Sequence, residues 1–309
     1  MTFLDFFNAS FLGVLDLAYR WAWLVAPIAL GIFAWEAWIH YVNAKFLDSL
    51  EFSMLEVRLP KEIRRSPLAM ELVFNSMHQT GGTGTWVDRY WKGKLRNFFS
   101  LEIVSIEGNV HFFIRTPKSF RNMIESYIYA QYPETEIVEV EDYTQNVSYS
   151  KDGRYSIWGL EYKLTKPDPY PIKTYIDYGM DKNVKEEEKI DPITPMIELM
   201  GSMKKGEQLW FQVVIRASTS DWKNSGKGEI DKIKKEKSEI DDKGKVKFNE
   251  QMLTKGEKDA ISAIERNVDK LGFDVGIRTI YLAENDKFQG ANIPSTIFIL
   301  KQYNSNNLN

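Results

Sequence analysis

The sequence predicts an α+β protein in which an N-terminal transmembrane helix precedes two tandem ferredoxin-like (β-α-β-β-α-β) domains, the second irregular and interrupted by a charged insertion. Three observations carry that prediction. Residues 21–35 read WAWLVAPIALGIFAW, an apolar run without a charge. Two similar strand–turn–helix segments begin at Leu55 and Leu160, about a hundred residues apart. Residues 223–253, lying between a strand pattern and a helix pattern, are rich in Lys, Glu, Asp and Gly. The resulting divisions are an anchor over 1–49 with its span at about 21–41, a first domain over 50–143, and a second over 144–309 that contains the insertion.

The anchor is argued from its length and its rims. At about 1.5 Å rise per residue, twenty helical steps cover roughly 30 Å, the thickness of a hydrocarbon core. Trp21 and Trp23 mark one end, and Trp35, Trp38 and Tyr41 mark the other, as amphipathic rings do at headgroup depth. A cleavable signal is not expected, because the run lacks a basic leader and a small-residue cleavage pattern. Arg20 is the only basic side chain before the span, whereas Lys45, Arg58, Lys61, Arg64 and Arg65 follow it. That bias places the C-terminal domains in the cytoplasm, on a single-pass protein of the inner membrane. Residues 3–17 are apolar but contain Asp5 and Asp16, which suits an interfacial helix or a short second hydrophobic segment better than a full span.

The first domain spells out in order. Strand 54–59 leads to a helix opened by Ser66 and Pro67, with Met70, Val73, Phe74 and Met77 on one face. Strands 98–106 and 110–115 flank the turn Glu107-Gly108-Asn109 and form a hairpin. Thr116 and Pro117 open a second helix, and a last strand runs from Thr135 to Val140. The second domain has strand 156–164, a Pro-rich link, the acidic run KEEEK, helix 195–203 and strand 208–217. The insertion that follows is expected to be solvated or disordered, since so charged a stretch offers little to bury. Thr254 and Glu257 then make a capping box for a helix with Ile261, Ile264, Val268 and Leu271 as its stripe. Strand 273–283 and a helix at about 291–303 complete the chain, whose abrupt Asn-rich end suggests that the native polypeptide continues.

A net charge of −3 argues against a general nucleic-acid binder, although a local basic patch remains compatible with it. The absence of cysteine excludes disulfides, zinc–thiolate sites and thiol catalysis. No P-loop, GxSxG, HExxH or EF-hand spacing occurs. His78 and His111 have no carboxylate or second histidine nearby in sequence and are expected to be merely satisfied or exposed. Glu139 and Glu141 alternate with Val138 and Val140, as on the wet face of a strand. No catalytic residue, metal or cofactor is therefore assigned.

The loop 80–99 is the exception. It mixes Gly81, Gly82 and Gly84 with Trp86, Tyr90 and Trp91, and with Arg89, Lys92, Lys94 and Arg96. Long loops with their own aromatic rings tend to be functional. This composition suits, in order of preference, a partner or oligomer contact, packing on its own domain, a membrane surface, or single-stranded nucleic acid.

The segments LEVRLPKEIRRSPLAMELVFNSMHQTGGTGTWVDRYWKGK and FSLEIVSIEGNVHFFIRTP, with QVVIRAS, GFDVGIRTIYLAEND and KQYNSNNLN, resemble an uncharacterised family of membrane-anchored proteins from bacteria of the small-genome candidate phyla. That family is similar in layout to the N-terminal regions of conjugation-type secretion proteins. The resemblance implies a non-enzymatic accessory or scaffold of a type IV secretion- or pilus-like machine, encoded with a translocation ATPase that it would dock. It transfers no catalytic residue. The expected partners are that ATPase, the lipid bilayer and further copies of the chain, with loop 80–99 and insertion 223–253 as contact surfaces. The alternative expectation is a membrane-surface protein that binds anionic lipid or nucleic acid through the same loop.

Overall fold

The structure, a computed structural model, describes all residues except 1–2, 61–65, 82–83, 149, 151–152, 182–190, 220, 241–245 and 249, and describes the backbone alone for 3–22, 238–240, 246–248 and 250. Two compact units are present: residues 1–50 with 81–95, and residues 51–80 with 96–309.

The smaller unit is built on helix α1, Phe3–Asp48, which is continuous through both segments that the sequence divides. Its part Trp23–Asp48 is long and apolar enough to cross a membrane, and none of its apolar window is buried by protein. Pro27 lies inside it. Lacking an N–H, that proline leaves the carbonyl of Trp23, one turn earlier, without its helical donor.

The larger unit contains a seven-stranded antiparallel sheet in the order β4-β1-β3-β2-β6-β9-β5. Its strands are β1 (Phe52–Arg58), β2 (Phe98–Ile106), β3 (Asn109–Pro117), β4 (Glu136–Val140), β5 (Tyr155–Tyr162), β6 (Glu207–Ala217) and β9 (Phe273–Glu284). The helices are α2 (Leu68–Met77), α4 (Arg121–Gln131), α5 (Thr194–Gly201), α6 (Trp222–Glu236), α7 (Lys255–Val268) and α8 (Asn292–Ile297); the short α3 (Trp86–Tyr90) belongs to the smaller unit. The expected β2–β3 hairpin turns tightly at Glu107 (φ 54°) and Gly108 (φ 85°). Two successive positive φ values match the right-handed twist of the strands, and glycine takes the second without strain.

The strands expected in 50–143 and 144–309 lie in one sheet, because β2 pairs with β6 in an antiparallel register from Phe98↔Arg216 to Ile106↔Gln208. Alternation explains the layering. On one face Leu55, Phe99, Ile114 and Ile215 pack with Val73 and Met77 of α2 and Ile124 and Ile128 of α4. Farther along, Leu209, Phe211 and Tyr281 pack with Met196 and Met200 of α5 and with Ile299. The Thr254 and Glu257 capping box forms as expected at the start of α7.

The insertion corrects the sequence reading. Residues expected to be solvated or disordered form α6, then the short strands β7 (Ser238–Ile240) and β8 (Val246–Phe248), with 241–245 and 249 outside the described residues. Ile230 of α6 is buried with Leu253, Ile261, Ile264 and Val268, and Trp222 and Ile233 pack against that cluster. A charged helix thus gains order from one narrow apolar stripe.

Candidate membrane-interface site

Within the smaller unit, the aromatic residues of loop 81–95 meet those of α1. Trp35 stacks on Trp86, with ring centroids 6.5 Å apart, and tilts against Tyr90 at 5.6 Å. Trp38 meets Trp91 edge-on at 5.4 Å, and Tyr41 at 6.1 Å. The Trp38 indole N–H donates to the Tyr90 carbonyl oxygen at 2.9 Å. Residues 35 and 38 share one helical face, and so do 86 and 90, so two short ridges of rings can interlock.

The loop is locally built for this. Thr85 caps α3, its hydroxyl accepting from the Asp88 amide at 3.1 Å and donating to the Asp88 carboxylate at 2.7 Å. Lys92 and Lys94 both reach the same carboxylate at 3.1 Å. The Thr85 hydrogen bond, followed by those from the two lysines, holds the Asp88 carboxyl well below the usual range. Gly93 adopts φ +62° and its backbone lies against the Val42 carbonyl, close enough that an added Cβ would sit 2.2 Å from that oxygen. Only glycine fits there, and Val42 is buried in consequence.

The loop's charges are therefore less available than the sequence reading holds. Lys92 and Lys94 are ion-paired within the loop. Arg96 lies in the larger unit, donating to the Ala217 carbonyl and pairing with Asp274 at 3.2 Å. Arg89 is exposed, as are Gly81 and Gly84. Gly82 and the side chain of Trp21 lie outside the described residues. Trp23, at the other rim, is 72% exposed.

The model of a domain of unknown function, DUF8128, matches residues 49–306, which is most of the chain. The chain belongs to that family. No curated protein and no solved structure matches it. The match begins directly after the last residue of α1, Asp48, so the DUF8128 region comprises the whole sheet and also the loop that grips the helix.

A second polar constellation in the DUF8128 region escapes sequence reading. Glu56, Phe113, Glu102, Gln212, Arg278 and Glu161 stand in register across β1, β3, β2, β6, β9 and β5, on the sheet face opposite the helical cluster. Tyr143 stacks on Phe113 and donates to the buried Glu102 carboxylate; Gln212 donates to the same carboxylate at 3.1 Å and to the Tyr143 hydroxyl at 2.6 Å, and accepts from Arg278. Burial, and then the Glu102 charge, push the Tyr143 phenol far up, so it remains a donor. His111 is likewise not isolated: its Nδ1 lies 2.6 Å from Glu56 Oε1. His78 bonds the Gly272 carbonyl at 3.0 Å. No local signal announces either partner, because strand pairing and tertiary packing bring them together over long sequence separations.

Proposed function

We propose that this DUF8128 protein is a membrane-anchored, non-enzymatic scaffold that holds a translocation ATPase at the cytoplasmic face of a type IV secretion- or pilus-like machine. The observation that carries this reading is α1: an apolar helix exposed on nearly all sides from Trp23 to Trp38, with aromatic residues at both rims, attached to a folded region of ordinary globular size. The excess of Lys and Arg after the span supports the cytoplasmic orientation. Of the two expected contact surfaces, loop 81–95 is engaged on its own helix, so the partner surface is assigned to α6, whose Lys223, Lys227, Lys234 and Lys235 are outside its apolar stripe. The body is read as a duplicated β-α-β-β-α-β unit with the copies joined edge to edge. Outward from the β2–β6 seam, one half runs β2, β3, β1 and β4 and the other β6, β9 and β5, the same order for three strands; the second copy is irregular, with α6 and α7 between β6 and β9 and three strands of this sheet among the described residues.

The alternative, in which the loop's lysines bind anionic lipid or nucleic acid in place of a protein partner, is disfavoured by the pairing of Lys92 and Lys94 with Asp88. The test is fractionation followed by pull-down. The chain should pellet with membranes, resist alkaline carbonate, and recover an ATPase after detergent extraction; the variant Lys227→Glu/Lys234→Glu/Lys235→Glu should lose it. Recovery of the full chain as a monodisperse, detergent-free soluble particle would end this reading.

A further inference from the structure

We infer that the segment 84–95 is itself a lipid-contacting element, seated among the headgroups beside α1 so that Trp86, Val87 and Trp91 enter the interface with Trp35 and Trp38. The inference rests on the membrane-anchor reading and adds a second contact to it. Its basis is depth. The uncharged run 21–35 ends at Trp35, Glu36 follows it, and Trp35, Trp38 and Tyr41 form the aromatic rim on that side of the span. Rings in contact with Trp35 and Trp38 share the depth of that rim. Trp86 and Trp91 touch them with centroids 6.5 and 5.4 Å away, yet remain 59% and 53% exposed. Val87, between them in sequence, is 49% exposed.

Such bare rings, continuous with the unburied apolar face of a spanning helix, have lipid as their matching surroundings. The loop's charges fit the same place. Asp88, the anion that headgroup phosphates would repel, is neutralised by Lys92 and Lys94, while Arg89 is exposed and long enough to reach a phosphate. A soluble-protein partner would have to approach through the headgroup layer to reach Trp86.

The chain has no cysteine, so single labelling sites can be introduced cleanly. The full-length variants Val87→Cys, Leu30→Cys (midway between the rims) and Lys45→Cys, each carrying an environment-sensitive fluorophore, are reconstituted in phosphatidylcholine vesicles with and without phosphatidylglycerol. Nitroxide lipids labelled near the headgroup or near the chain end, and aqueous iodide, serve as quenchers. The expected result is that the Val87 probe is quenched roughly two-fold more by the shallow than by the deep nitroxide, as interfacial residues are, and is shielded from iodide relative to Lys45. A Val87 probe as open to iodide as Lys45, with Leu30 quenched by the deep nitroxide, overturns the loop's role and leaves the anchor intact. A Val87 probe shielded from iodide but untouched by either nitroxide overturns it too, in favour of a covering protein or second copy. Failure of the deep nitroxide to quench Leu30 removes both the anchor and the inference.

Discussion

The indole N–H of Trp38 and the backbone carbonyl of Tyr90, 2.9 Å apart, join the rim of the apolar helix to a loop 52 residues away in sequence. Trp38→Phe keeps the ring contacts but removes this bond, at a cost of about 1 kcal/mol. In reconstituted protein, trypsin should cut the loop at Arg89, Lys92 or Lys94 faster in that variant than in the parent. Equal rates would show that the rings alone hold the loop.

Gly93→Ala tests the backbone approach. The residue combines a positive φ with a site already filled by the Val42 carbonyl, so strain on the order of 1–3 kcal/mol is expected. The loop should become protease-sensitive while the sheet's thermal transition is unchanged. Gly84→Ala, where an added Cβ meets nothing within 4 Å, is the matched control.

The buried Glu102 relies on Tyr143 and Gln212 for its hydrogen bonds. Tyr143→Phe should therefore destabilise the body by roughly 1–3 kcal/mol, the cost of leaving a buried acceptor short of a donor. Adding Glu102→Leu should recover part of the loss, because the unsatisfied carboxylate disappears with its partner. Denaturant titration of both variants decides this.

Acid should weaken the sheet through Glu56. Burial raises its pKa, but hydrogen bonds from His111 and Arg58 outweigh that and leave it below the ordinary value of 4.5. The folded state therefore binds fewer protons than the unfolded state in this range. The stabilisation is present above about pH 4.5 and is lost as pH falls through the folded-state value. Thermal midpoints measured downward from pH 5 should fall less steeply in His111→Ala than in the parent.

Thr254→Ala removes the side chain that accepts from the Glu257 amide and half of the capping box. A loss of about 1 kcal/mol is expected, as for other caps, read as a lower denaturation midpoint.

Local pattern carried much of the secondary structure. Alternation marks β1 and β5, with apolar residues at 55, 57 and 59 and at 160, 162 and 164, and Thr254 with Glu257 marks the start of α7 because both cap the same turn. What alternation does not encode is which strand edges meet, and the β2–β6 pairing, hence a single sheet, follows from that choice. Composition reads the insertion as solvated or disordered, yet Trp222, Gly226, Ile230 and Ile233 fall on one helical stripe, with Gly226 making room for Val268. That spacing was the available signal. Loop 81–95 is recognisable as unusual from its rings, but the sequence alone assigns their partners, Trp35 and Trp38, to lipid. A sequence distributes such rings without saying which of them touch.

The β2–β6 ladder has a mechanical consequence. Its amides run side by side along the full seam, so a pull along the strands loads many of them in shear before any can yield. The two halves of the plate cannot swing apart like jaws around a bound cargo. Strain applied to one half along the strands is therefore shared with the other across the seam.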